Sequence, residues 1–462
     1  MVHPRRGPAR RSLGRPAWFS AKPLKRQPMV QQWEETDVIR NLLKAALLGT
    51  ALLTAAGSAM AAENVVWWDF LGGGDGVRMK KLIEDFNAEH KDTIQIQGTT
   101  LDWGTPFYSK VQTSTAVGEG PDIMTYHASR IPLAVSQNVL SEISADDMKA
   151  MGLSKDSFAA ATWDAVNVDG KQYAVPFDQH PIVLYYNKDK LAAAGLIGAD
   201  GLPTGLNGVD NFKAALKKLK DGGSKWGIST VTADGSFAFR TIYSMLCQQD
   251  GSIGTDGDWF PGDSGTKLAN AVQVIADWVK DGYNPSNTDY PSTVALFTSG
   301  DAPLMINGVW EVPTMVDLQK QGKLFNWGAV ELPVFFNHAC TYADSHTFAI
   351  PNNQGKTVDP AKHAAVLEII KWMEGHALFW ATAGHIPANK AIVDSADYKA
   401  MQPQATYAPL TANLVFDPKS KNAGVASPLF DAAGNSFTPA INGETDAASA
   451  VADMKATLDA LP

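Results

Sequence analysis

The chain has 462 residues, which exceeds the size of one ordinary domain and favours two. Its 45% hydrophobic and 19% charged residues are typical of a globular protein and exclude a largely disordered chain. Ten of the 39 basic residues but three of the 48 acidic residues precede residue 62, so the remainder carries a net charge of −16. This charge argues against nucleic acid or an anionic membrane surface as a partner.

The N-terminal 61 residues have the order of a secretory leader. Residues 1–28 are basic, rich in proline and free of Asp and Glu; Arg40 and Lys44 then precede a short apolar run and the triplet Ala59-Met60-Ala61. A positive region, an apolar region and a small-residue cleavage site are typical of a signal peptide, and the run is too short for a membrane span. We therefore predict a cleaved leader at 1–61, with an over-extended start before about residue 38, and export to the periplasm. The alternative, a basic arm that binds nucleic acid, is disfavoured.

Strand and helix signals alternate through the rest of the chain. Buried or alternating apolar patterns predict strands at 64–70, 93–99, 122–126, 225–232 and 347–353. Apolar residues at helical spacing predict helices at 77–90, 105–117, 267–282, 361–380 and 446–461. The Gly- and Pro-rich segment 196–209 is predicted to be a surface loop. This rhythm predicts an α/β fold with mostly parallel sheets covered by helices.

The stretch "SGDAPLMINGVWEVP" at 299–313 raises a question about one large side chain. Residues 303–306 predict a short buried strand, and Asn307-Gly308 predicts a turn. Trp310, beside Glu311, then lies beyond the end of that strand. Trp310 either packs in a core or lies at the strand end to contact a ligand, and its position favours contact with a ligand.

Motifs for catalysis or cofactors are not recognised. The segment "GGGDG" at 72–76 lacks the Lys-Ser/Thr of a phosphate loop and the third Gly of a dinucleotide fingerprint, so it is interpreted as a flexible turn before a helix. Asp344, His346 and His385 show no metal-ligand spacing along the chain. No cofactor is predicted. The two cysteines, Cys247 and Cys340, suit an oxidising compartment, and their spacing leaves their pairing open.

Aromatic residues recur in loops that follow predicted strands, and each has a polar neighbour. Because ligands of open α/β sheets bind beyond the carboxyl ends of strands, this pattern suits a sugar, whose C–H faces stack on aromatic rings while its hydroxyls bond to charged groups. The aromatic residues are Trp67, Trp68, Trp103, Tyr126, Phe177, Phe237 and Trp310, with Asp69, Asp102, His127, Asp178, Asp234 and Glu311 beside them.

Several stretches resemble the periplasmic solute-binding proteins of ABC importers, the family of maltose-binding protein. They are "GPDIMTYHASR" (120–130), "YNKDKL" (186–191), "LFTSGDAPLMINGVWEVP" (296–313), "GAVELP" (328–333), "FAIPNN" (348–353) and "GHIPANKA" (384–391). The resemblance implies a two-lobed periplasmic-binding-protein fold in which each lobe has a central sheet flanked by helices and the lobes are joined by hinge crossings. It implies an N-terminal lobe of 62–177 and 333–386, and a C-terminal lobe of 178–332 and 387–462.

The resemblance also implies ligand-binding positions in this sequence. Ser129 and His180 each replace a carboxylate of the family pattern, which suggests a different ligand. The implied positions, with Glu311 added as the neighbour of Trp310, are Trp68, Asp69, Tyr126, Arg130, Asp178, His180, Asp234, Phe237, Trp310, Glu311, Asp344, His346 and Phe430.

The leading interpretation is a monomeric periplasmic receptor that captures a mono- or oligosaccharide and delivers it to an ABC permease with its ATPase. It is not expected to be an enzyme. One alternative is the same fold binding a polyol, sugar acid or glycerol-phosphate-like anion, which Arg130, Arg240 and His180 leave open. A second alternative is a secreted carbohydrate-active enzyme that uses two of the acids, and the order of the motifs along the chain disfavours it.

Overall fold

The computed structural model describes residues 62–461, and the predicted leader lies outside the described residues. The strands are β1 Glu63–Asp69, β2 Ile94–Thr100, β3 Ile123–His127, β4 Asn167–Val168, β5 Lys171–Gln172, β6 Ala174–Pro176, β7 Asp178–Asn187, β8 Ile228–Ser229, β9 Gly254–Thr255, β10 Asp258–Trp259, β11 Leu304–Gly308, β12 Trp327–Val330, β13 Thr341–Asp344, β14 His346–Ala349, β15 Ile386–Pro387 and β16 Leu414–Val415.

The α-helices lie between these strands and after them. They are α1 Gly73–Glu89, α2 Thr105–Ala116, α3 Ile131–Ser136, α4 Ala145–Ala150, α5 Ala160–Ala165, α6 Lys188–Ala193, α7 Val209–Asp221, α8 Gly235–Cys247, α9 Ser264–Lys280, α10 Tyr290–Thr298, α11 Val312–Lys320, α12 Pro360–Gly375, α13 Ala377–Trp380, α14 Lys390–Val393, α15 Ala396–Ala400, α16 Gln404–Tyr407, α17 Pro428–Ile441 and α18 Ala447–Asp459. Among residues 62–461, none of the helices combines the length and the apolar character that a bilayer crossing requires.

The first lobe is built on a sheet in the order β2-β1-β3-β14-β6. Strand β1 pairs in parallel with β2 and β3, whereas β14 is antiparallel to both of its neighbours. Trp67 of β1 is fully buried and packs edge-on against Phe348 of β14, with ring centroids 5.4 Å apart. The predicted βαβ rhythm is confirmed here, because α1 packs on β2 and α12 packs on β1.

The second lobe is built around the long strand β7. Its sheet has the order β16-β13-β7-β11-β8, and β12 and β15 also pair with β7. Successive side chains of a strand point to opposite faces. Ile182, Leu184 and Tyr186 therefore enter one hydrophobic core, and Val183 and Tyr185 enter the core on the other face. Burial on both faces explains the nearly continuous apolar run of this strand.

Two sequence-based expectations for the second lobe are wrong at their boundaries. Residues 333–344 were expected in the first lobe, but β13 pairs with β7 and β16 and Tyr342 is buried in the core of the second lobe. The chain therefore crosses back to the first lobe at Ser345, between β13 and β14. Strand β8 is also shorter than 225–232, because the backbone N–H of Thr230 bonds to the side chain of Asn284, 2.8 Å away.

The glycine-rich segment at 72–76 is helical from Gly73 onwards and is not the turn that was expected. A Cβ on Gly74 would lie 2.5 Å from Pro313 of the second lobe, so the absence of a side chain lets α1 approach α11. The predicted helix 361–380 is likewise interrupted, since α12 ends at Gly375 and the ring Nδ1 of His376 lies 2.7 Å from the carbonyl of Trp372. Glycine has a low helix propensity, which suits this interruption.

Cys247 and Cys340 form a disulfide that ties the end of α8 to the segment before β13, with their Cα atoms 5.8 Å apart. The sequence left this pairing open, because the two residues are separated by 93 positions. A crosslink across a long loop stabilises mainly by restricting the unfolded chain.

We predict that the double substitution Cys247→Ser, Cys340→Ser lowers the free energy of unfolding by about 2–4 kcal/mol. Denaturant unfolding followed by circular dichroism measures this difference. The unsubstituted protein treated with a reductant should match the double variant. A double variant with unchanged stability would contradict the prediction.

Candidate functional site

Three segments that run between the lobes meet at one place. Asp178 begins β7 two residues after the end of β6 of the first sheet, and its backbone pairs with Pro387 of β15. Asp344 ends β13 and His346 begins β14, with Ser345 between them. His385 lies just before β15. The junction of the two lobes therefore gathers carboxylates and imidazoles from separate parts of the chain.

The carboxylate of Asp178 is fully buried and accepts hydrogen bonds at both oxygens. His180 Nδ1 lies 3.0 Å from Oδ1 and the His346 backbone N–H donates to the same oxygen over 2.9 Å. Oδ2 accepts hydrogen bonds from His346 Nδ1 over 2.8 Å and from Trp380 Nε1 over 2.7 Å. Burial alone would raise the pKa of Asp178, but the charges of His346 and His385 and these hydrogen bonds hold it well below its usual range. Asp178 is thus an ionised, saturated acceptor with no lone pair left for a ligand hydroxyl.

His127 and His180 stand next to this carboxylate and are almost completely buried. Phe70 stacks on the ring of His127 with centroids 4.4 Å apart, and the hydroxyl of Tyr108 lies 2.5 Å from His127 Nδ1. Burial, followed by the charges of His346 and His180, lowers the pKa of His127 well below its usual value. Burial and the charge of His346 lower the pKa of His180 to about 3. Both rings are therefore neutral at physiological pH.

A line of aromatic rings crosses the junction from one lobe to the other. Trp103 of the first lobe, 54% exposed, lies edge-on to His127 with centroids 6.4 Å apart. His127 is 5.6 Å from His180, which in turn is 6.0 Å from Trp310 of the second lobe. Phe237 continues the line at 6.5 Å from Trp310. Two indole rings from opposite lobes thus flank the histidine pair.

Trp310 is held in place by a chain of hydrogen bonds and by a glycine. Its Nε1 donates to the hydroxyl of Tyr290 over 2.8 Å, and that hydroxyl donates to the buried carboxylate of Glu311. A Cβ on Gly308 would lie 2.1 Å from carbons of the indole ring, so Gly308 lets the ring lie across the strand end. The expected turn at Asn307-Gly308 is wrong, because both residues still pair with β7 as the last two residues of β11.

Trp68 and Asp69 end β1, close to the same edge of the first sheet. Trp68 is half-buried, and the ammonium of Lys110 lies 5.6 Å from the centre of its ring. Asp69 is buried and accepts from the backbone N–H of Leu71 over 3.0 Å and from the hydroxyl of Thr100 over 3.3 Å. Its carboxylate therefore shapes the turn after β1.

Tyr126 and Arg130 are buried beside Tyr108. The ring of Tyr126 packs edge-on against that of Tyr108 at 5.3 Å, and burial raises the pKa of Tyr126 to about 12. The guanidinium of Arg130 lies 4.5 Å from the centre of the Tyr108 ring and donates to the carbonyl of Ala426 over 3.0 Å. Arg130 therefore links the first lobe to the loop before α17.

Asp344 is buried and accepts from Ser129 at the junction. The Ser129 backbone N–H and hydroxyl donate to its two oxygens over 3.1 and 2.5 Å, and the backbone N–H of Ser345 adds a third bond of 2.8 Å. Burial raises the pKa of Asp344. Ser129, which stands where the family pattern has a carboxylate, thus serves as the partner of Asp344.

The remaining two candidates, Asp234 and Phe430, lie at the start of α8 and within α17. Asp234 is exposed and caps the start of α8 by accepting from the backbone N–H of Ser236 over 2.9 Å. Phe430 is buried in the core of the second lobe, and the guanidinium of Arg240 lies 4.9 Å from its ring. Phe237 is half-buried beneath the same guanidinium, at 5.3 Å.

Sequence reasoning named six residues that the structure brings to the junction and omitted three that belong with them. Those named are Asp178, His180, His346, Asp344, Trp310 and Glu311. Those omitted from the site are His127, Tyr290 and His385. A signal existed only for His127, which adjoins Tyr126, because Tyr290 and His385 are brought in from distant parts of the chain by the fold.

The chain belongs to the bacterial extracellular solute-binding protein family, whose characteristic pattern matches residues 81–405. The two-lobed fold and the family resemblance predicted from the sequence are confirmed.

Characterised relatives share part of the chain. A galactooligosaccharide-binding protein of Bacillus subtilis is 27% identical over 301 residues, which cover 62% of this chain and 63% of the relative. An sn-glycerol-3-phosphate-binding periplasmic protein of Agrobacterium fabrum is 26% identical over 61% of this chain and 64% of its own length. The aligned region thus spans slightly less than two thirds of these relatives.

A solved structure, maltose-bound MalE3 of T. maritima, superposes with a TM-score of 0.72 at 20% identity. The superposition covers 86% of this chain and 99% of that one. At this identity the likeness establishes the fold.

Asp417 provides a test of the electrostatics behind the junction. Its Oδ2 accepts from the hydroxyl of Tyr342 over 2.8 Å, and its Oδ1 is buried without a partner among the described residues. Burial and the negative charge of Asp344 raise the pKa of Asp417 to about 7. Because this pKa is above its unfolded value, the folded state is favoured at low pH and loses that advantage as the pH rises through 7.

We predict that the free energy of unfolding of Asp417→Asn, relative to that of the unsubstituted protein, rises from pH 5 to pH 8. The rise should be about 1–2 kcal/mol after allowance for solvent screening. Denaturant unfolding at both pH values measures the change. The exposed residue Asp453 supplies a control, Asp453→Asn, which should leave the pH dependence unchanged. Parallel profiles for Asp417→Asn and the unsubstituted protein would contradict the assigned pKa.

Proposed function

We propose that this protein is the ligand-capturing component of a bacterial ABC-type importer and that it binds a carbohydrate between its two lobes. The observation that carries the proposal is the pair of indoles, Trp103 and Trp310, which face the junction from opposite lobes. Sugar rings offer apolar C–H faces that pack well on indoles. The galactooligosaccharide-binding relative supports the same ligand class.

The finer parts of the proposal concern the partners and the compartment. The protein is exported to the periplasm through its cleaved leader, acts as a monomer and delivers the carbohydrate to a membrane permease coupled to an ATPase. Ligand held by both lobes favours the closed arrangement, because a ligand shifts a conformational equilibrium only through its differential affinity for the two states. The protein binds its ligand and does not transform it.

An anionic ligand is the second candidate. The glycerol-3-phosphate-binding relative favours it, and Arg130 supplies a buried guanidinium whose Nε has no partner among residues 62–461. Charge-assisted bonds from arginine to phosphate are strong and often bidentate. Against this candidate, the guanidinium already covers the Tyr108 ring and bonds to Ala426.

A thermal-shift panel distinguishes these ligand classes. It should contain mono- and oligosaccharides, polyols, sugar acids and glycerol 3-phosphate. We expect at least one neutral sugar to raise the melting temperature, because a ligand that binds only the folded state stabilises it. A shift with glycerol 3-phosphate alone would favour the anionic ligand. Chromatography of the sugar after incubation should show no conversion, and a product would refute a pure binding role.

We predict that Trp310→Ala weakens binding of the sugar identified in the panel at least tenfold, which corresponds to about 1.4 kcal/mol. The indole is half-buried at the strand end, so its loss should cost stacking and leave the fold intact. Calorimetry on the folded variant measures the affinity. Trp226→Ala is the matched control, because Trp226 precedes β8 at the sheet edge opposite to the one where β11 ends. Unchanged affinity in Trp310→Ala would remove this role.

We also predict that Gly308→Ala weakens sugar binding although the glycine itself contributes no side chain. The new Cβ would occupy the place of the Trp310 ring, which must rotate away. Gly375→Ala is the control, since a Cβ there has no heavy atom within 4 Å. Calorimetry and melting curves of both variants measure the effect. Equal affinities for the two would show that the position of the ring is unimportant.

A further inference from the structure

Three imidazoles surround the buried carboxylate of Asp178. His180 Nδ1 is 3.0 Å from Oδ1, His346 Nδ1 is 2.8 Å from Oδ2, and His385 Nδ1 is 3.9 Å from Oδ2. Each of the four residues offers a donor atom within 4.8 Å of the donor atoms of the others. The histidines come from β7, β14 and the segment before β15, so they share no spacing along the chain.

Among these four residues, His385 is the one whose ring nitrogens are not satisfied by hydrogen bonds to the described protein groups. It is completely buried, and neither of its ring nitrogens has a well-aligned hydrogen bond within the described part of the chain. Nε2 lies 3.0 Å from a carboxylate oxygen of Asp75, whereas Nδ1 faces Asp178. A neutral imidazole has one N–H and can serve only one of these carboxylates. The other nitrogen then directs its lone pair at a negative oxygen unless a cation lies between them.

The distances suit a small divalent cation. Zinc binds imidazole nitrogen and carboxylate oxygen at about 2.0–2.1 Å in a tetrahedron, which places neighbouring donor atoms about 3.3 Å apart. The distances from His346 Nδ1 and His385 Nδ1 to Oδ2 of Asp178, 2.8 and 3.9 Å, lie on either side of this value, and His180 Nδ1 is 3.0 Å from the other oxygen, Oδ1. Imidazole-rich sites with one carboxylate favour transition metals over calcium or magnesium.

The groups around the four candidate ligands also suit a metal centre, both in the hydrogen bonds they make and in the total charge of the cluster. Trp380 Nε1 and the backbone N–H of His346 hold Asp178 in place, and Asp75 stands behind His385 as a carboxylate that can accept its Nε2–H. Such outer partners orient metal ligands. Two carboxylates, three neutral imidazoles and one divalent cation sum to zero net charge, which makes burial of the group less unfavourable.

We propose that Asp178, His180, His346 and His385 form a zinc-binding site at the junction of the lobes, in which zinc takes the place of the His180 and His346 ring protons that otherwise bond to Asp178. Zinc binding does not require the proposed sugar, but the metal site adjoins the place of the sugar, because His180 lies in the line of rings between Trp103 and Trp310. Because each histidine comes from a different segment at the crossing, bound zinc ties these segments together and stabilises the junction. The competing explanation is a doubly protonated His385 between Asp75 and Asp178, with no metal.

The test uses purified protein without a histidine tag. The protein is stripped with a chelator, incubated with zinc and freed of excess metal, and bound zinc is measured by mass spectrometry. We expect about one zinc per chain and a rise in melting temperature. Cobalt in place of zinc should give the visible absorption of a tetrahedral centre. Less than about 0.1 zinc per chain would overturn the proposal and leave the imidazolium explanation.

Substitutions of single residues test whether the bound zinc occupies the proposed site. His385→Gln, which is close in size to the original residue, should lower the zinc affinity at least about tenfold, since it removes one ligand. His338→Ala is the control, because His338 is exposed in the second lobe and its ring nitrogens contact Asp250 and the Ala339 carbonyl. Equal zinc binding by His385→Gln and the unsubstituted protein would also overturn the proposal.

Should His385→Gln fail to fold, as judged by circular dichroism, Asp75→Asn replaces it in the comparison. This variant keeps all four ligands and is expected to lower the zinc affinity by about tenfold, with one zinc still bound at saturation. An unchanged affinity in this variant would contradict the assigned orientation of His385. The sugar panel, repeated with and without zinc, separates failure of the metal site from failure of the proposed sugar binding.

Discussion

The buried carboxylate of Asp178 is the interaction on which the junction depends. A fully buried charge is tolerated only when its desolvation is offset by well-placed partners. Its partners come from β7, β14 and α13, so the charge is satisfied only when these segments are correctly assembled. Removing any one of them would leave part of a buried charge uncompensated. The relative positions of the two sheets are therefore linked to the solvation of one side chain.

The second lobe shows how far local patterns determine this fold. The middle of strand β7, residues 182–186, is apolar because both of its faces are buried. The helix α9 was predicted from its apolar face and is confirmed. The patterns failed where tertiary contacts determine the local structure. At β8, the side chain of Asn284 accepts the hydrogen bond of the Thr230 backbone N–H, so the strand ends earlier than its pattern predicts. At 333–344, nothing local distinguishes a strand of one sheet from a strand of the other.

The candidate site was predictable only in part, for the same reason. Trp310 could be found because an indole follows a strand within a specific family pattern. The cluster around Asp178 could not, because its histidines lie at 180, 346 and 385 and meet only through the crossings. Tyr126 and Phe430 carried the same aromatic signal as Trp310 but are packed inside the lobes. Sequence alone does not say towards which side of a strand or helix an aromatic ring is directed.

Gly74 meets Pro313 across the two lobes with no room for a methyl group. Any larger residue at 74 would act as a wedge that holds the lobes apart where α1 meets α11. The affinity of a binding protein falls with the fraction of molecules able to close. A graded series of side chains at this position could therefore set the working range of a biosensor made from this protein, with every residue that touches the ligand left intact.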